Sequence, residues 1–265
     1  MAGTSMITRY LQEWIRSVRP VTRIREDRLW EVDALRGIAI LMMVVYHLTW
    51  DLYGLAGWDI PIYGLFWSTW QRITASLFIG LVGVSMHLRA ERLRSRGKLT
   101  FGPYLRRALV IFTWGMVISL VTYLFQPDEF VRFGILHFIA TSIVFTYPFL
   151  YAPLLALPVG GGILLLPRLL SWRHHWTWAE WLGLAEAPHA AFDYFPVIPW
   201  WGVTLLGLVA GVSLFSAGKR RVRLTQRPWP PFRWLQLAGQ NALLIYLIHQ
   251  PLLITALTLL GLIHW

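Results

Sequence analysis

The chain has no cysteine, which excludes disulfides, thiolate metal sites and a cysteine nucleophile together and leaves the redox compartment unread. It is also short of charge: 14% of its 265 residues are Asp, Glu, Lys or Arg, against 56% hydrophobic. A soluble domain carries about 25% charged residues, so this chain has too little polar surface to be wetted all round. A soluble enzyme is excluded. With 16 Trp and a mean hydropathy of +0.52, so is a disordered or low-complexity protein. Acidic residues are the scarcest class, 13 against 24 basic, and nearly all of the +11 balance is Arg. No repeat of clear period and no Gly-rich phosphate loop is present. No secretory signal peptide is read, because the first long apolar run starts only after Leu35 and lacks a small-residue cleavage site. What fits is an integral membrane protein.

A hydrocarbon core of about 30 Å needs about 20 apolar residues per helix. Such runs fall near 36–55, 65–88, 104–125, 132–151, 153–171, 198–217 and 234–263. The fifth is the weakest, interrupted by Pro153, Pro158, Pro167 and Gly160-Gly161-Gly162, and a re-entrant segment is its alternative. Basic residues gather in three groups: Arg9 to Arg36, residues 89–107 and residues 219–233. With the amino terminus inside and seven crossings, all three lie in the cytoplasm, as the positive-inside bias requires. The fold class expected is therefore all-α, a polytopic membrane bundle of about seven transmembrane helices, N-in and C-out. Residues 7–18 add an interfacial helix, with Ile7, Tyr10, Leu11, Trp14, Ile15 and Val18 on one face. Two regions follow: 1–30, interfacial and basic, and 31–265, the membrane domain.

Ionisable groups inside a bilayer are functional candidates because each costs a few kcal/mol to insert. The first span carries Asp33, Arg36, His47 and Asp51. Eleven positions separate Arg36 from His47, three turns plus about 20°, so both leave one helix face about 16 Å apart along the axis. Asp51, one turn beyond His47, is placed to orient an imidazole. The plainer reading is that Arg36 snorkels and that His47 with Asp51 fixes packing. Arg72, about two turns into the second span, needs an anion or carbonyl, and Asp51 is a candidate. Arg132 and His137 open the fourth span. The loop bearing His174, His175, His189, Asp193 and Tyr194 matches no metal-ligand spacing, so no metal is expected. The last span holds Gln240, Asn241, Tyr246, His249 and Gln250, too many hydrogen-bonding groups to face lipid, with Pro251 expected to kink it.

The run Glu31-Val-Asp33-Ala-Leu-Arg36-Gly37 through Tyr46-His47 resembles the first-helix motif of integral membrane acyltransferases, the acyltransferase-3 family and the heparan-alpha-glucosaminide N-acetyltransferase catalytic domain among them. Four further stretches resemble the small bacterial branch related to the heparan enzyme: Leu77 to Ser85, Arg132 to Ala140, Asp193 to Trp200, and Gly239 to Pro251. The resemblance runs in order over residues 30–255. It implies transfer of an acyl group from cytoplasmic acyl-CoA, acetyl-CoA first, to an amine or hydroxyl of a cell-envelope glycan or related acceptor. On that reading Arg36, Arg106 and Arg107 hold the CoA phosphates, and His47 is the general base with Asp51 holding its tautomer. Substrate contacts are implied for Arg72, Arg132, His137, Asp193, Tyr194, Asn241 and His249.

Two other classes stay open from the residues alone. A lipid or sugar-precursor transporter suits the polar cavity, although no inverted repeat is seen. A haem-binding electron-transfer protein suits His47, His137 and His249. Free CoA release marks the enzyme, colour marks haem, and binding without acyl-CoA consumption marks transport. The partners expected are the bilayer and an envelope acceptor, with an oligomer possible. The localisation expected is a multi-pass cell membrane, the bacterial inner membrane. Nucleic acid is not expected, since membrane topology accounts for the basic groups.

Overall fold

The computed structural model describes residues 6–25, 28–169, 177–184, 191–216, 219–221 and 230–263. They form helices α1 (Met6–Ser17), α2 (Trp30–Gly54), α3 (Leu65–Arg94), α4 (Gly102–Phe125), α5 (Ile135–Thr146), α6 (Ala156–Leu169), α7 (Val197–Leu214), α8 (Pro230–Gln240) and α9 (Ala242–Leu259). A two-residue antiparallel pair, Phe215–Ser216 with Lys219–Arg220, follows α7. Among the described residues five helices, α2, α3, α4, α7 and α9, are long and apolar enough to cross a membrane, and the protein is a polytopic helical membrane protein. The segments Ile135–Leu150 and Pro153–Leu169 are shorter apolar helices. Pro148 and Pro153 turn their adjoining ends into 3₁₀ turns, so the apolar run is longer than the α-helix it contains. At 1.5 Å per residue the 14-residue α6 rises about 21 Å, short of a hydrocarbon core of about 30 Å.

Two compact units divide the chain. The first comprises residues 1–78 and 225–265, the second residues 79–224, and α3 contributes to both.

In the first unit α2 and α8 meet backbone to backbone. A Cβ on Gly37 would strike the carbonyl oxygen of Leu235, and one on Gly239 that of Asp33. Glycine at both places is what lets the helices approach so closely where lipid supplies no hydrophobic drive. The expected 234–263 span is two helices, parted at Asn241 (φ −102°, ψ 14°). The Asn241 amide donates to the carbonyls of Leu237 (2.9 Å) and Val21 (3.0 Å), and its oxygen accepts the Val21 N–H (2.7 Å). A short amide side chain that bonds nearby backbone competes with the helical ladder, which is why the helix parts here. At Pro251, by contrast, α9 continues as helix. In α1, Ile7, Leu11 and Ile15 stay exposed at i, i+4 and i+8, an apolar stripe of the kind an interfacial helix turns to lipid.

In the second unit Gly83 packs on the backbone of Thr204 and Leu208, and Gly207 on that of Gly80, which draws α3 against α7. Gly160 and Gly202 do the same for α6 and α7. Ile79 on α3, Phe138 on α5, and Leu205 and Leu208 on α7 are fully buried. Along α4, Leu109, Phe112, Met116, Leu120 and Leu124 remain exposed, the apolar face a lipid-facing helix presents.

Candidate active site

The first unit gathers polar side chains at two levels of α2. At the first, Asp33 is buried to 1% exposure and its Oδ1 accepts from Arg28 Nη2 (2.6 Å) and Arg36 Nη1 (2.9 Å). Its Oδ2 accepts from Gln240 Nε2 (2.9 Å), and Gln240 Oε1 accepts the Arg25 N–H (3.2 Å). One carboxylate thus holds two guanidiniums, leaving the trio with one positive charge. Arg36 was nominated from sequence as a phosphate ligand; it lies here against Asp33, which the sequence marked as an ionisable group of the same span without giving it a role. The i, i+3 spacing of Asp33 and Arg36 on one helix is the signal that would have found it.

About three turns along α2 from Arg36 is the second level. His47 is half-buried, and its ring centroid lies 4.8 Å from that of His249 on α9, which is buried to 8% exposure. His249 Nδ1 lies 2.6 Å from the carbonyl oxygen of Tyr246. A carbonyl only accepts, so Nδ1 carries the proton and Nε2 presents its lone pair. That Nε2 is buried and has no hydrogen-bond partner among the described residues. The expected His47–Asp51 hydrogen bond is not formed. Asp51, 2% exposed, instead accepts through Oδ1 from Gln250 Nε2 at 2.7 Å. The reason is the fold's choice of neighbour: α9 brings an amide donor to the carboxylate, a partner 199 positions away that local spacing cannot show. Asp51 Oδ2 and Gln250 Oε1 are also buried without partners. The Arg72–Asp51 pair is not formed either; Arg72 is exposed on α3 beside Thr69 and Ser76 and makes no ion pair among the described residues.

In the second unit Arg132, His137, Asp193 and Tyr194 meet around the start of α5. Asp193 Oδ2 accepts the Ile135 N–H (2.8 Å), and His137 Nδ1 accepts that of Gly134 (3.3 Å). These are two of the N–H groups a helix start leaves without an intrahelical partner. The His137 ring is boxed by Phe112 (5.1 Å) and Phe133 (5.7 Å) and faces Gly115, where a Cβ would lie 3.0 Å from it. Arg132 pairs with Glu180 at 3.9 Å and lies over the Phe130 ring. The Tyr194 hydroxyl donates to the Glu180 carbonyl (2.6 Å), and burial, then the Glu180 carboxylate, push its pKa up to about 12. Backbone bonds from Phe192 to Glu129 and from Phe195 to Phe133 stitch the two segments together. Arg106 and Arg107 lie half-buried near the start of α4. His174, His175 and His189 fall outside the described residues, and among those described no group of three His, Asp or Glu side chains could hold a metal.

The histidine pair also bears on haem. Imidazoles on opposite faces of a haem stand roughly 6 Å apart between centroids, since each nitrogen needs about 2 Å to the metal. His47 and His249, at 4.8 Å, are too close to flank one.

No curated protein and no solved structure matches the chain. The family model described as heparan-alpha-glucosaminide N-acetyltransferase, catalytic, matches residues 28–251, from the Arg28 that pairs with Asp33 to the turn of α9 that carries His249 and Gln250. With that match spanning most of its length, the chain belongs to the heparan-alpha-glucosaminide N-acetyltransferase catalytic-domain family of membrane acetyltransferases.

Proposed function

We propose that the protein transfers an acetyl group from cytoplasmic acetyl-CoA to an amine or hydroxyl of a cell-envelope glycan or related acceptor, with His47 as general base. The observation that carries this reading is an imidazole pair within the membrane helices of an acetyltransferase-family chain, His47 facing His249 at 4.8 Å. The acceptor N–H or O–H gives its proton to His47 as its lone pair attacks the thioester carbonyl. The C–S bond breaks, and the proton passes to the departing CoA sulfur, so His47 ends neutral. The N-in orientation, in a bacterial inner membrane, sets Arg36, Arg106 and Arg107 toward the cytoplasm, where charge-assisted bonds to the CoA phosphates are available. The Arg28–Asp33–Arg36 trio keeps one positive charge for that purpose. Arg72 is the residue we assign to acceptor contact. Arg132, His137, Asp193, Tyr194 and Asn241 all have partners within the chain, and no substrate contact is assigned to them.

The test is free-thiol release from acetyl-CoA by purified protein supplied with envelope extract. His47→Ala is expected to lower kcat by about 10²–10⁴-fold, the range of a lost general base. Release at the wild-type rate in that variant removes His47 from the chemistry. Silence of the wild type with acetyl-CoA and extract both present overturns the reaction class.

A further inference from the structure

The structure assigns to His249 the role of proton partner to His47, the part that position on α2 alone would give to Asp51. The inference rests on His47 acting as the base. Three observations carry it. First, the tautomer of His249 is fixed from its own helix: the Tyr246 carbonyl, 2.6 Å from Nδ1, requires a proton there, so Nε2 can only accept. Second, that Nε2 is buried in a residue of 8% exposure and meets no donor among the described residues. A buried acceptor left unpaired is destabilising, so its retention calls for a donor present at some stage of the cycle. Third, the ring centroids are 4.8 Å apart. Two imidazoles joined by an N–H···N bond of about 2.9 Å stand roughly 5 Å apart, so the separation already suits the bond once the His47 ring turns toward Nε2, with His249 held at Tyr246.

In the present structure the two rings are not hydrogen-bonded. His47 becomes a donor on both ring nitrogens only after it has taken the acceptor's proton. One N–H of the imidazolium then points to His249 Nε2 while the other remains for the CoA sulfur. Neutral His47 can already turn its one N–H to His249 Nε2 and keep its other nitrogen for the acceptor's proton. Once His47 is charged the bond is charge-assisted and stronger, so it favours the step that forms that state over the binding of either substrate. The proton count is unchanged: what leaves the acceptor arrives on CoA, and His249 shares it in passing. Asp51 is the charged group nearest in sequence, one turn along α2, and its Oδ1 is held by Gln250. His249 is on this argument a positioning residue.

The test uses two variants that fill the same space differently, in the full chain. Asparagine keeps a donor near the Nδ1 position and loses the far nitrogen; glutamine reaches toward the Nε2 position with an oxygen that accepts. His249→Asn is expected to lower kcat for thiol release by about 10²-fold, the low end for proton transfer, with KM for acetyl-CoA unchanged. His249→Gln is expected to stay within about tenfold of wild type. A second readout needs no turnover: in ¹⁵N-histidine-labelled protein, NMR should find His249 protonated on Nδ1, with its Nε2 resonance moving when His47 is replaced by Gln. An Nε2-protonated His249, an Asn variant at the wild-type kcat, or Asn and Gln variants equally impaired overturns the assignment. Should wild type release no thiol while the His249 resonance still answers to His47→Gln, the acetyltransferase reading falls and the coupling of the two rings stands.

Discussion

Asp33 is a buried carboxylate that three donors share, and Asp33→Asn is the perturbation that weighs it. The carboxylate is 1% exposed and receives Arg28, Arg36 and Gln240 together. Asparagine has the same shape but carries no charge, and its NH₂ must face either the two guanidiniums or the Gln240 donor. Removing one partner of a buried ion pair costs about 3–5 kcal/mol, because the other charge stays behind. The guanidiniums are not equally buried. Arg28 is 32% exposed and can turn to water or headgroups, which places its share in the surface range of about 0–1 kcal/mol. Arg36, at 17%, is anchored in α2 beside the α8 backbone and cannot retreat as far. The loss expected for Asp33→Asn is therefore about 3 kcal/mol, most of it coupled to Arg36. The assay is unfolding of the detergent-solubilised protein by added SDS, run as a double-mutant cycle with Arg36→Met and separately with Arg28→Met. A coupling of about 2 kcal/mol or more to Arg36 and under about 1 kcal/mol to Arg28 is expected. Asp33→Asn within about 0.5 kcal/mol of wild type, the range of an uninvolved surface change, refutes the reasoning. So does equal coupling to the two arginines.

Two further outcomes test the roles the structure gives to nominated residues. Asp193→Ala removes the acceptor for the Ile135 N–H at the start of α5 and should cost about 1 kcal/mol, as loss of a helix cap does, with faster amide exchange at residues 135–138; unchanged exchange there counts against a capping role. Asn241→Ala removes both bonds to Val21, each worth about 1 kcal/mol net, so cleavage by trypsin after Arg23 and Arg25 should accelerate by roughly tenfold or more; a wild-type cleavage rate means the segment is held by something else.

The long helices were legible because apolar runs of about 20 residues have few alternatives in lipid. Their interruptions were not. Nothing in the run 234–263 distinguishes Asn241 from its neighbours until Val21, 220 positions away, comes to lie beside it. Periodicity set Arg36 and His47 on one face of α2 but could supply only neighbours one turn off, and so offered Asp51 for His47; the ring that faces it is on α9. His137 and Asp193 show the opposite limit. A histidine and an aspartate near a membrane boundary have the right chemistry for catalysis, and the fold spends that chemistry on the N–H groups at the start of α5. Residue type tells what a group can do; only its partners tell whether it is already doing it.

That distinction sorts the polar residues of the first unit. Asp33, Gln240 and Asn241 have both ends of their side chains engaged, and the Arg25 and Val21 backbone that they hold is engaged in return. About four to five turns along α2 from Asp33 the circuit stays open. Asp51 Oδ2, Gln250 Oε1 and His249 Nε2 are all buried, all acceptors, and all without donors among the described residues. A uniform set of acceptors beside His47 is the composition that suits a step in which an N–H or O–H must be received and its proton removed. The proposed acetyl transfer therefore fits the α2–α9 level better than the Asp33 level, where every added proton or donor would have to displace a partner already in place.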